Sequence, residues 1–253
     1  MTSNNYGFLL SELIKKGIRL KYRRSYLGIL WSLIEPIFTT IILVIVFGTL
    51  FHTSEKTYPL YIIIGRLCFN FFSEGTKSAS RAIRANASMV KKVYVPKLLY
   101  PLSNVLYTFI IFLISLVVLI GVDIYCRVVP TLSLLMFLPS LLLLLVFTFS
   151  VGLILCTLNV FFRDIEYLWN VILMMIMYVS AIFYYPEKIL QSHFFWVLEF
   201  NPLYQIIYMA RCCFLGTQFN WAGIVYTLIF TLVSLLFSLL FYRSQKDKFI
   251  LHL

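Results

Sequence analysis

The sequence predicts an all-α membrane protein with six transmembrane helices, and its composition and its apolar runs are the two observations behind that prediction. Of the 253 residues, 61% are hydrophobic and only 12% are charged, whereas a soluble domain is about half apolar and about a quarter charged. A soluble fold of this length could not cover so much apolar surface. Five cysteines, an odd number scattered through apolar segments, also exclude a secreted disulfide scaffold.

Six apolar segments approach the length that a membrane span requires, which is about 20 residues for a hydrocarbon core about 30 Å thick. The predicted spans cover residues 29–51, 58–73, 102–122, 137–161, 167–184 and 222–242. The second segment is short and contains Arg66. Because an ionised side chain is costly inside a bilayer, we expect Arg66 to line a functional pathway, to form an ion pair or to reach toward the interface.

The lysines and arginines concentrate on one side of these spans, and this asymmetry predicts the orientation of the chain. They cluster before the first span, between the second and third spans, and in the C-terminal tail. Cytoplasmic loops carry such an excess, so both termini are expected in the cytoplasm. The net charge of +11 is then explained by attraction to anionic membrane lipids, and nucleic acid is not expected as a partner.

Residues 1–28 are predicted to form a separate N-terminal element, because residues 6–27 have the pattern of an amphipathic helix. Leu10 and Leu13 share one face, whereas Lys15 and Arg19 share the opposite face. Such a helix lies in the membrane interface with its basic face toward the lipid head groups. It either anchors the chain or forms a collar beside an entrance for an amphiphilic substrate. The remaining residues, 29–253, form the membrane domain.

Two segments between the spans are predicted to be more than connecting loops. Residues 74–98 contain an alanine-rich, basic stretch that favours helix and ends at Pro96, so they form either a docking element for a soluble partner or a solvated loop. Residues 186–221 are too aromatic for an exposed loop. They are predicted to form two short helices, broken near Asn201 and Pro202, that dip back into the outer membrane region or pack on the bundle at the interface.

The chain contains no sequence motif of a catalytic or nucleotide-binding site. None of its three histidines has the spacing of a metal ligand, and the phosphate-binding pattern GxxxxGK[ST] is absent. No catalytic residue and no metal site are therefore predicted in this chain.

Aromatic residues make up 18% of the chain, and two groups of them are predicted near the outer membrane surface. Tyrosines and tryptophans commonly form belts at that interface. By analogy with aromatic pairs, a ring can also stack on the apolar face of a sugar. The candidates for such a channel are Tyr58 and Tyr61 at the outer start of the second span, with Phe183, Tyr184 and Tyr185 at the outer end of the fifth.

Four stretches of the sequence carry a resemblance to a known family. They are KYRRSYLGILWSLIEPIF at 21–38, IRANASMVKKVYVPKLLYPLSNV at 83–105, GLILCTLNVFFRDIEYLW at 152–169, and SAIFYYPEKI followed by FNPLYQIIYMAR. Taken together and in this order, they resemble the permease subunits of ABC transporters that export bacterial polysaccharides such as O-antigen, capsule and wall teichoic acid. The resemblance extends over about residues 10–225.

The resemblance implies roles for the elements predicted above. It makes the N-terminal helix a gate helix, residues 74–98 the site of a coupling helix, and residues 186–221 the outer gate helices. The gate residues would be Arg19, Arg23, Arg24 and Trp31; the coupling residues Asn86, Met89, Val90, Lys91 and Lys92; and those of a cytoplasmic elbow Arg163 and Asp164. It also implies two copies of a separate ATPase subunit, which would bind ATP and Mg, and a second copy of the permease.

The expected function is therefore export of a lipid-linked polysaccharide from the cytoplasm across a bacterial inner membrane, through a channel between two permease copies. The chain itself is not expected to be an enzyme. One alternative is a drug or lipid exporter of the same superfamily. A second alternative is a multi-span membrane transferase, for which Asp164 and Glu166 beside Arg163 are the candidate acid and base groups.

Overall fold

A computed structural model describes residues 3–23, 26–51, 55–92, 95–128 and 132–249, and these residues form helices and connecting turns without a strand. The α-helices are α1 Ser3–Tyr22, α2 Trp31–Leu50, α3 Tyr58–Ala85, α4 Ala87–Lys92, α5 Leu99–Cys126, α6 Phe137–Phe161, α7 Ile165–Val179, α8 Glu187–Leu190, α9 Phe195–Glu199, α10 Pro202–Leu215 and α11 Trp221–Gln245. Short 3-10 helices, Gly28–Leu30 and Leu132–Met136, precede α2 and α6. The all-α class predicted from the sequence is confirmed for these residues.

Four helices within the described residues are long and apolar enough to cross a membrane: Gly28–Leu50, Leu99–Cys126, Leu132–Phe161 and Trp221–Gln245. They coincide with the predicted first span to within one residue and contain the predicted third, fourth and sixth spans. Much of their surface is exposed large apolar side chains, as expected where lipid rather than protein covers a helix. The chain is therefore a multi-pass membrane protein.

The helix α3 lies at the centre of the bundle and packs against α2, α5, α6 and α10. Its side chains Leu60, Ile63 and Ile64 are buried in the main hydrophobic core. Close approach to α6 depends on Gly152, where an added Cβ atom would lie 2.8 Å from the Cβ of Ala79. Small residues at such contacts let membrane helices pack tightly.

The observed α3 differs from the prediction for this part of the chain. The sequence predicted a short span at 58–73 and, separate from it, a docking helix or a solvated loop within 74–98, but one helix continues from Tyr58 to Ala85. Residues 78–85 are good helix formers, so nothing in the sequence stops the helix at the membrane surface. It ends at Asn86, whose side-chain amide donates a hydrogen bond to the carbonyl of Ala82 at 2.9 Å. Only α4 remains as a separate short helix.

The fifth predicted span, 167–184, is also wrong at its outer end, because α7 ends at Val179. The chain turns at residues 180–184, and Ala181 adopts a φ of 47°, in the left-handed region that non-glycine residues rarely occupy. The carbonyl groups that a longer helix would have bonded internally are bonded by side chains of α3 and α10 instead.

The segment after α7 contains three helices, α8, α9 and α10, where two were predicted. The predicted break at Asn201 and Pro202 is present: the Asn201 side chain accepts hydrogen bonds from the backbone N–H groups of Leu203 and Tyr204 at 3.0 and 3.2 Å. Asparagine at the N-cap and proline at the first helical position are both favourable at a helix start. The helix α10 is buried against α3, α6 and α11, so it belongs to the bundle core.

The N-terminal helix α1 lies against α5, with Gly17 against the ring of Tyr107. Its Arg19 side chain is exposed, and so is Arg23 just beyond the end of the helix. Arg24 falls outside the described residues. Gly28, within the LG pair that precedes α2, has a φ of 50°, a conformation that glycine adopts without steric cost.

Candidate functional site

A cavity of about 530 Å³ lies between α1, α2, α3 and α5. Five charged side chains line it: Lys21 of α1, Glu35 of α2, and Arg66, Glu74 and Lys77 of α3. Lys21, Glu35 and Glu74 are exposed, and Arg66 and Lys77 are partly buried. The cavity is therefore open to the surface, and its partly buried charges, Arg66 above all, are the ones whose burial cost points to a function.

Arg66 of α3 is partly buried, and few of the described groups satisfy its guanidinium. Its Nη1 atom is 3.8 Å from the thioether sulfur of Met177, a weak acceptor. Its Nε atom is buried without an acceptor, and none of the described carboxylates lies within ion-pair distance. The ion pair that the sequence left open for Arg66 is therefore not formed.

A polar network at the other end of α3 joins it to α6 and α7. Arg81 Nε lies 2.7 Å and Arg84 Nη1 3.2 Å from the two carboxylate oxygens of Glu166. Asn159 of α6 donates to the same carboxylate at 3.0 Å and to the carbonyl of Ser80 at 2.9 Å. Burial alone would raise the pKa of Glu166, but the Asn159 hydrogen bond and the two arginine charges hold it below its ordinary value.

Glu166 forms these ion pairs close to the turn between α6 and α7, where Arg163 and Asp164 were predicted as residues of a cytoplasmic elbow. The predicted residues Arg163 and Asp164 are exposed in the turn between α6 and α7, and neither forms an ion pair with a described residue. The sequence contained only a partial signal: Arg81 and Arg84 are three residues apart on one helix face, where an acidic side chain can interact with both.

Four of the five predicted coupling residues lie in the short helix α4, and Asn86 directly precedes it. Met89 is 36% exposed, and Lys91 is exposed as well. Val90 is only 9% exposed and packs in a second hydrophobic cluster with Ala82, Ile83 and residues of α6 and α11. The surface of α4 that can meet a partner thus includes Met89 and Lys91, whereas Val90 faces inward. The side chain of Lys92 is outside the described part of the structure.

The five predicted channel aromatics lie together beside the turn at residues 180–184. Three of them, Tyr58, Tyr61 and Phe183, are buried. The Tyr58 hydroxyl donates to the Phe183 carbonyl at 2.7 Å, and the Tyr61 hydroxyl lies 2.9 Å from the carbonyl of Tyr184. These buried residues stabilise the turn, and within the single chain their rings are not accessible for stacking on a sugar. Tyr184 and Tyr185 are half-buried.

Arg211 of α10, within the segment 186–221 that was predicted to lie on the outer side, completes this cluster. It is only 2% exposed. Its guanidinium donates to the carbonyls of Tyr61 at 3.2 Å, Ala181 at 2.9 Å and Ile182 at 3.2 Å. The guanidinium carbon also lies 3.4 Å from the centre of the Tyr61 ring, a cation–π contact. A charge inside the apolar segment IIYMARCCF is the signal that could have identified it.

The described residues contain no group of three or more His, Cys, Asp and Glu side chains that could hold a metal ion. Of the five cysteines, Cys126 is partly buried and the others are buried, and all have free thiols.

Long apolar helices around a polar cavity and a buried central helix define the class of this molecule as a multi-pass membrane permease. The family described as ABC-2 type transporter matches residues 9–215, and the chain belongs to that family. The resemblance seen in the four sequence stretches is thereby confirmed.

Several relatives align over most of their length. The chain is 30% identical over 237 residues to the O-antigen export system permease protein RfbA of Klebsiella pneumoniae, covering 89% of this chain and 91% of that protein. It is 25% identical over 211 residues to the protein of the same name from Myxococcus xanthus, covering 83% and 81%. It is 24% identical over 209 residues to the polysialic acid transport protein KpsM of Escherichia coli, covering 80% and 79%.

Proposed function

We propose that this chain is the membrane permease subunit of an ATP-driven ABC transporter that exports a lipid-linked polysaccharide from the cytoplasm across a bacterial inner membrane. The observation that carries the proposal is the similarity, over most of both chains, to permeases and transport proteins named for O-antigen and polysialic acid. The charged cavity beside the N-terminal helix supports it, because an amphiphilic substrate needs a polar site within reach of the bilayer.

ATP hydrolysis is assigned to a separate subunit, because the sequence has no phosphate-binding loop. Two ATPase copies would bind ATP and Mg, and each would dock on α4 of one permease copy. The exposed Met89 and Lys91 offer an apolar and a charged contact on this helix. Asn86 terminates α3 and sets the angle at which α4 leaves it.

Motion at α4 would reach the membrane through α3. The turn at Asn86 joins the two helices directly, and the Glu166 network ties α3 to the start of α7. The far end of α7 is the turn at residues 180–184, which Tyr61 and Arg211 hold. A displacement of α3 would therefore act on both ends of α7.

The substrate path in this proposal begins beside α1. Arg19, Arg23 and Arg24 would attract an anionic lipid at the cytoplasmic surface, and Trp31, which is 48% exposed and lines the cavity, would mark the opening. The glycan would then pass between two permease copies. In each copy α3 and α7 would also cross the membrane, in addition to the four long apolar helices. On the outer side, Tyr184 and Tyr185 are the candidates for stacking on sugar.

Export measured per assembled complex tests this function. The chain is expressed with the ATPase of its own gene neighbourhood in a host that lacks an exporter of this kind, and surface glycan is divided by the amount of complex. Met89→Asp should abolish co-purification with the ATPase and export, because it places an unpaired charge in the contact. Ser244→Asp, at an exposed position near the end of α11, is the matched control and should leave both unchanged.

Two results would contradict the proposal. Normal export by Met89→Asp would place the ATPase contact elsewhere. A wild-type complex that hydrolyses ATP and exports a lipid or drug but no glycan would replace polysaccharide export by the other function of this superfamily.

A further inference from the structure

The cavity between α1, α2, α3 and α5 has the properties of a binding site rather than a packing defect. We infer that it binds the phosphate headgroup of a membrane lipid and that Arg66 is the residue that contacts the phosphate. This inference rests on the proposed function, for which it supplies the site where a lipid-linked substrate is recognised.

The first observation that supports a phosphate site is that most N–H donors of Arg66 lack an acceptor among the described residues. A guanidinium has five N–H donors, and here the Nη1 atom meets only a thioether while the buried Nε atom meets no acceptor. Arg211, the other arginine enclosed by helices, donates to three backbone carbonyls. The donors of Arg211 are satisfied within the chain, whereas those of Arg66 are not. This difference indicates that Arg66 binds an acceptor from outside the chain.

The face of α3 that lines the cavity is the second observation. Arg66, Asn70, Ser73, Glu74 and Lys77 fall at positions i, i+4, i+7, i+8 and i+11, which form one continuous stripe on a helix. The amide of Asn70 makes no hydrogen bond with a described residue, so it is a second open donor one turn from Arg66. Arg66 and Asn70 are partly buried, and a polar group removed from water is costly unless it finds a hydrogen-bond partner.

The charges around the cavity favour an anion at Arg66. Lys21 and Lys77 add two further cations, against the carboxylates of Glu35 and Glu74. Neither carboxylate pairs with Arg66. The planar guanidinium can form two parallel hydrogen bonds to a phosphate, which is why arginine suits this group better than lysine.

The position of the cavity indicates that the phosphate belongs to a lipid. Lys21 and Tyr22 of the N-terminal helix form one wall, and the exposed Trp31 forms part of another. A headgroup could thus enter from the membrane interface while its hydrocarbon chain stays in the bilayer. Two sources share this chemistry: the diphosphate of a polyprenyl glycan carrier, and the phosphate of a phospholipid with a net negative headgroup, such as phosphatidylglycerol.

Binding to the full chain in lipid nanodiscs tests the inference. The chain is placed in neutral phosphatidylcholine and titrated with a radiolabelled long-chain polyprenyl diphosphate. Arg66→Gln should weaken binding by about tenfold or more, because it removes charge-assisted hydrogen bonds. Arg66→Lys should retain part of the affinity, since it keeps the charge without the fork. Arg243→Gln, an exposed arginine in the last turn of α11, is the matched control and should bind as the wild type does.

Competitors identify the source of the phosphate. If phosphatidylglycerol fails to displace the labelled diphosphate, the site recognises the glycan carrier; if it displaces it equally well, the site recognises an ordinary anionic headgroup. Both results support a phosphate site. Equal displacement by the neutral polyprenol would show that only the hydrocarbon chain is bound and would overturn the inference.

Unchanged binding by Arg66→Gln would also overturn the inference. Melting temperature and monodispersity of each variant show whether lost binding reflects lost folding, and Asn70→Ala offers a milder change in the same stripe, with a smaller expected loss. The proposed function fails separately. If the wild-type complex exports no glycan but still binds the lipid through Arg66, the proposed function is rejected and the phosphate site is kept. If Arg66→Gln exports glycan and binds the lipid normally, the phosphate site is rejected and the proposed function is kept.

Discussion

Arg211 shows how one buried side chain can stabilise an irregular segment inside a membrane bundle. Backbone carbonyls at residues 180–184 have no helical partner, and water is scarce at this depth. Arg211 donates to two of them and to the carbonyl of Tyr61, while the hydroxyls of Tyr58 and Tyr61 reach others. The charge remains tolerable because carbonyl dipoles and the ring of Tyr61 surround it.

Replacing Arg211 should therefore destabilise the chain strongly. In Arg211→Gln at least one carbonyl loses its donor, at a cost of about 1–3 kcal/mol for each buried group left unsatisfied. Thermal unfolding of the detergent-solubilised chain should shift down by several degrees, at about 2–4 °C per kcal/mol for a chain of this size. Arg127→Gln removes an exposed arginine at the end of α5 and should have little effect.

Gly65→Ala tests the same contact from the opposite side. An added Cβ atom at Gly65 would lie 2.5 Å from Nη2 of Arg211, so the guanidinium must move away from its carbonyls. The variant should lower the melting temperature in the same direction as Arg211→Gln, and the two together should be less than additive. Full additivity would mean that Gly65 acts through something other than Arg211.

Glu166 makes a prediction about pH. Its pKa is lowered in the folded chain, so its stabilisation is fully present above the ordinary carboxyl pKa of 4.5 and is lost as the pH falls through the lowered folded-state value. Glu166→Gln should cost about 1–3 kcal/mol near neutral pH, because the partly buried Arg84 loses its charged partner.

Melting temperatures across acidic pH check this sign. The difference between wild type and Glu166→Gln should be constant at neutral pH and should shrink as the solution becomes strongly acidic. Glu12→Gln, which breaks an exposed pair with Lys15 on α1, provides the control and should change stability by well under 1 kcal/mol. A difference that grows on acidification would contradict the assigned network.

At the scale of the element, the contact between α3 and α6 depends on the absence of a side chain at Gly152. Gly152→Val would push against the Cβ of Ala79, and over-packing of this kind costs about 1–3 kcal/mol. Gly121→Val is the matched control, because Gly121 lies on α5 with no atom within 4 Å of its Cβ position. The yield of monodisperse protein should fall for Gly152→Val only, and equal losses would show that glycine matters here for helix flexibility.

Hydropathy correctly predicted the long helices that face lipid, but it gave the wrong length for a helix that is enclosed by other helices. The four helices that meet the length and polarity of a span are among those predicted. The helix α3 carries Arg66, Asn70 and Glu74, so its apolar run looked short, yet it continues for 28 residues. A helix enclosed by other helices needs no uniformly apolar surface, and its length is set by capping and propensity rather than by the bilayer.

The site was predictable to a similar extent. The sequence identified Arg66 as a charge that required explanation, and it placed the outer aromatics near one another. It could not show that Tyr58 and Tyr61 are buried, because burial depends on which helix packs over them. The charges of Arg211 and Glu166 are visible in the sequence, but their partners lie far away along the chain, so no local pattern identifies the contacts that they form.

For the whole molecule, the question is how many helices cross the membrane. Four helices meet the criteria of a span, and the proposal adds α3 and α7. The two alternatives differ in sidedness at the ends of α5 and α6. With six crossings and cytoplasmic termini, Arg127 lies outside and Arg163 lies inside; with four crossings the two positions are exchanged. In both cases Lys56 lies outside and Arg243 inside.

Cysteine labelling separates these topologies. Lys56→Cys, Arg127→Cys, Arg163→Cys and Arg243→Cys are all at exposed positions, and Cys126→Ala removes the one native thiol that is not buried. A membrane-impermeant maleimide applied to intact spheroplasts should label positions 56 and 127, and permeabilisation should add positions 163 and 243. We expect this result because lysines and arginines cluster on the side that holds residue 243. Labelling of 163 but not 127 in intact cells would show that α3 and α7 do not cross, and labelling of 243 there would reverse the orientation.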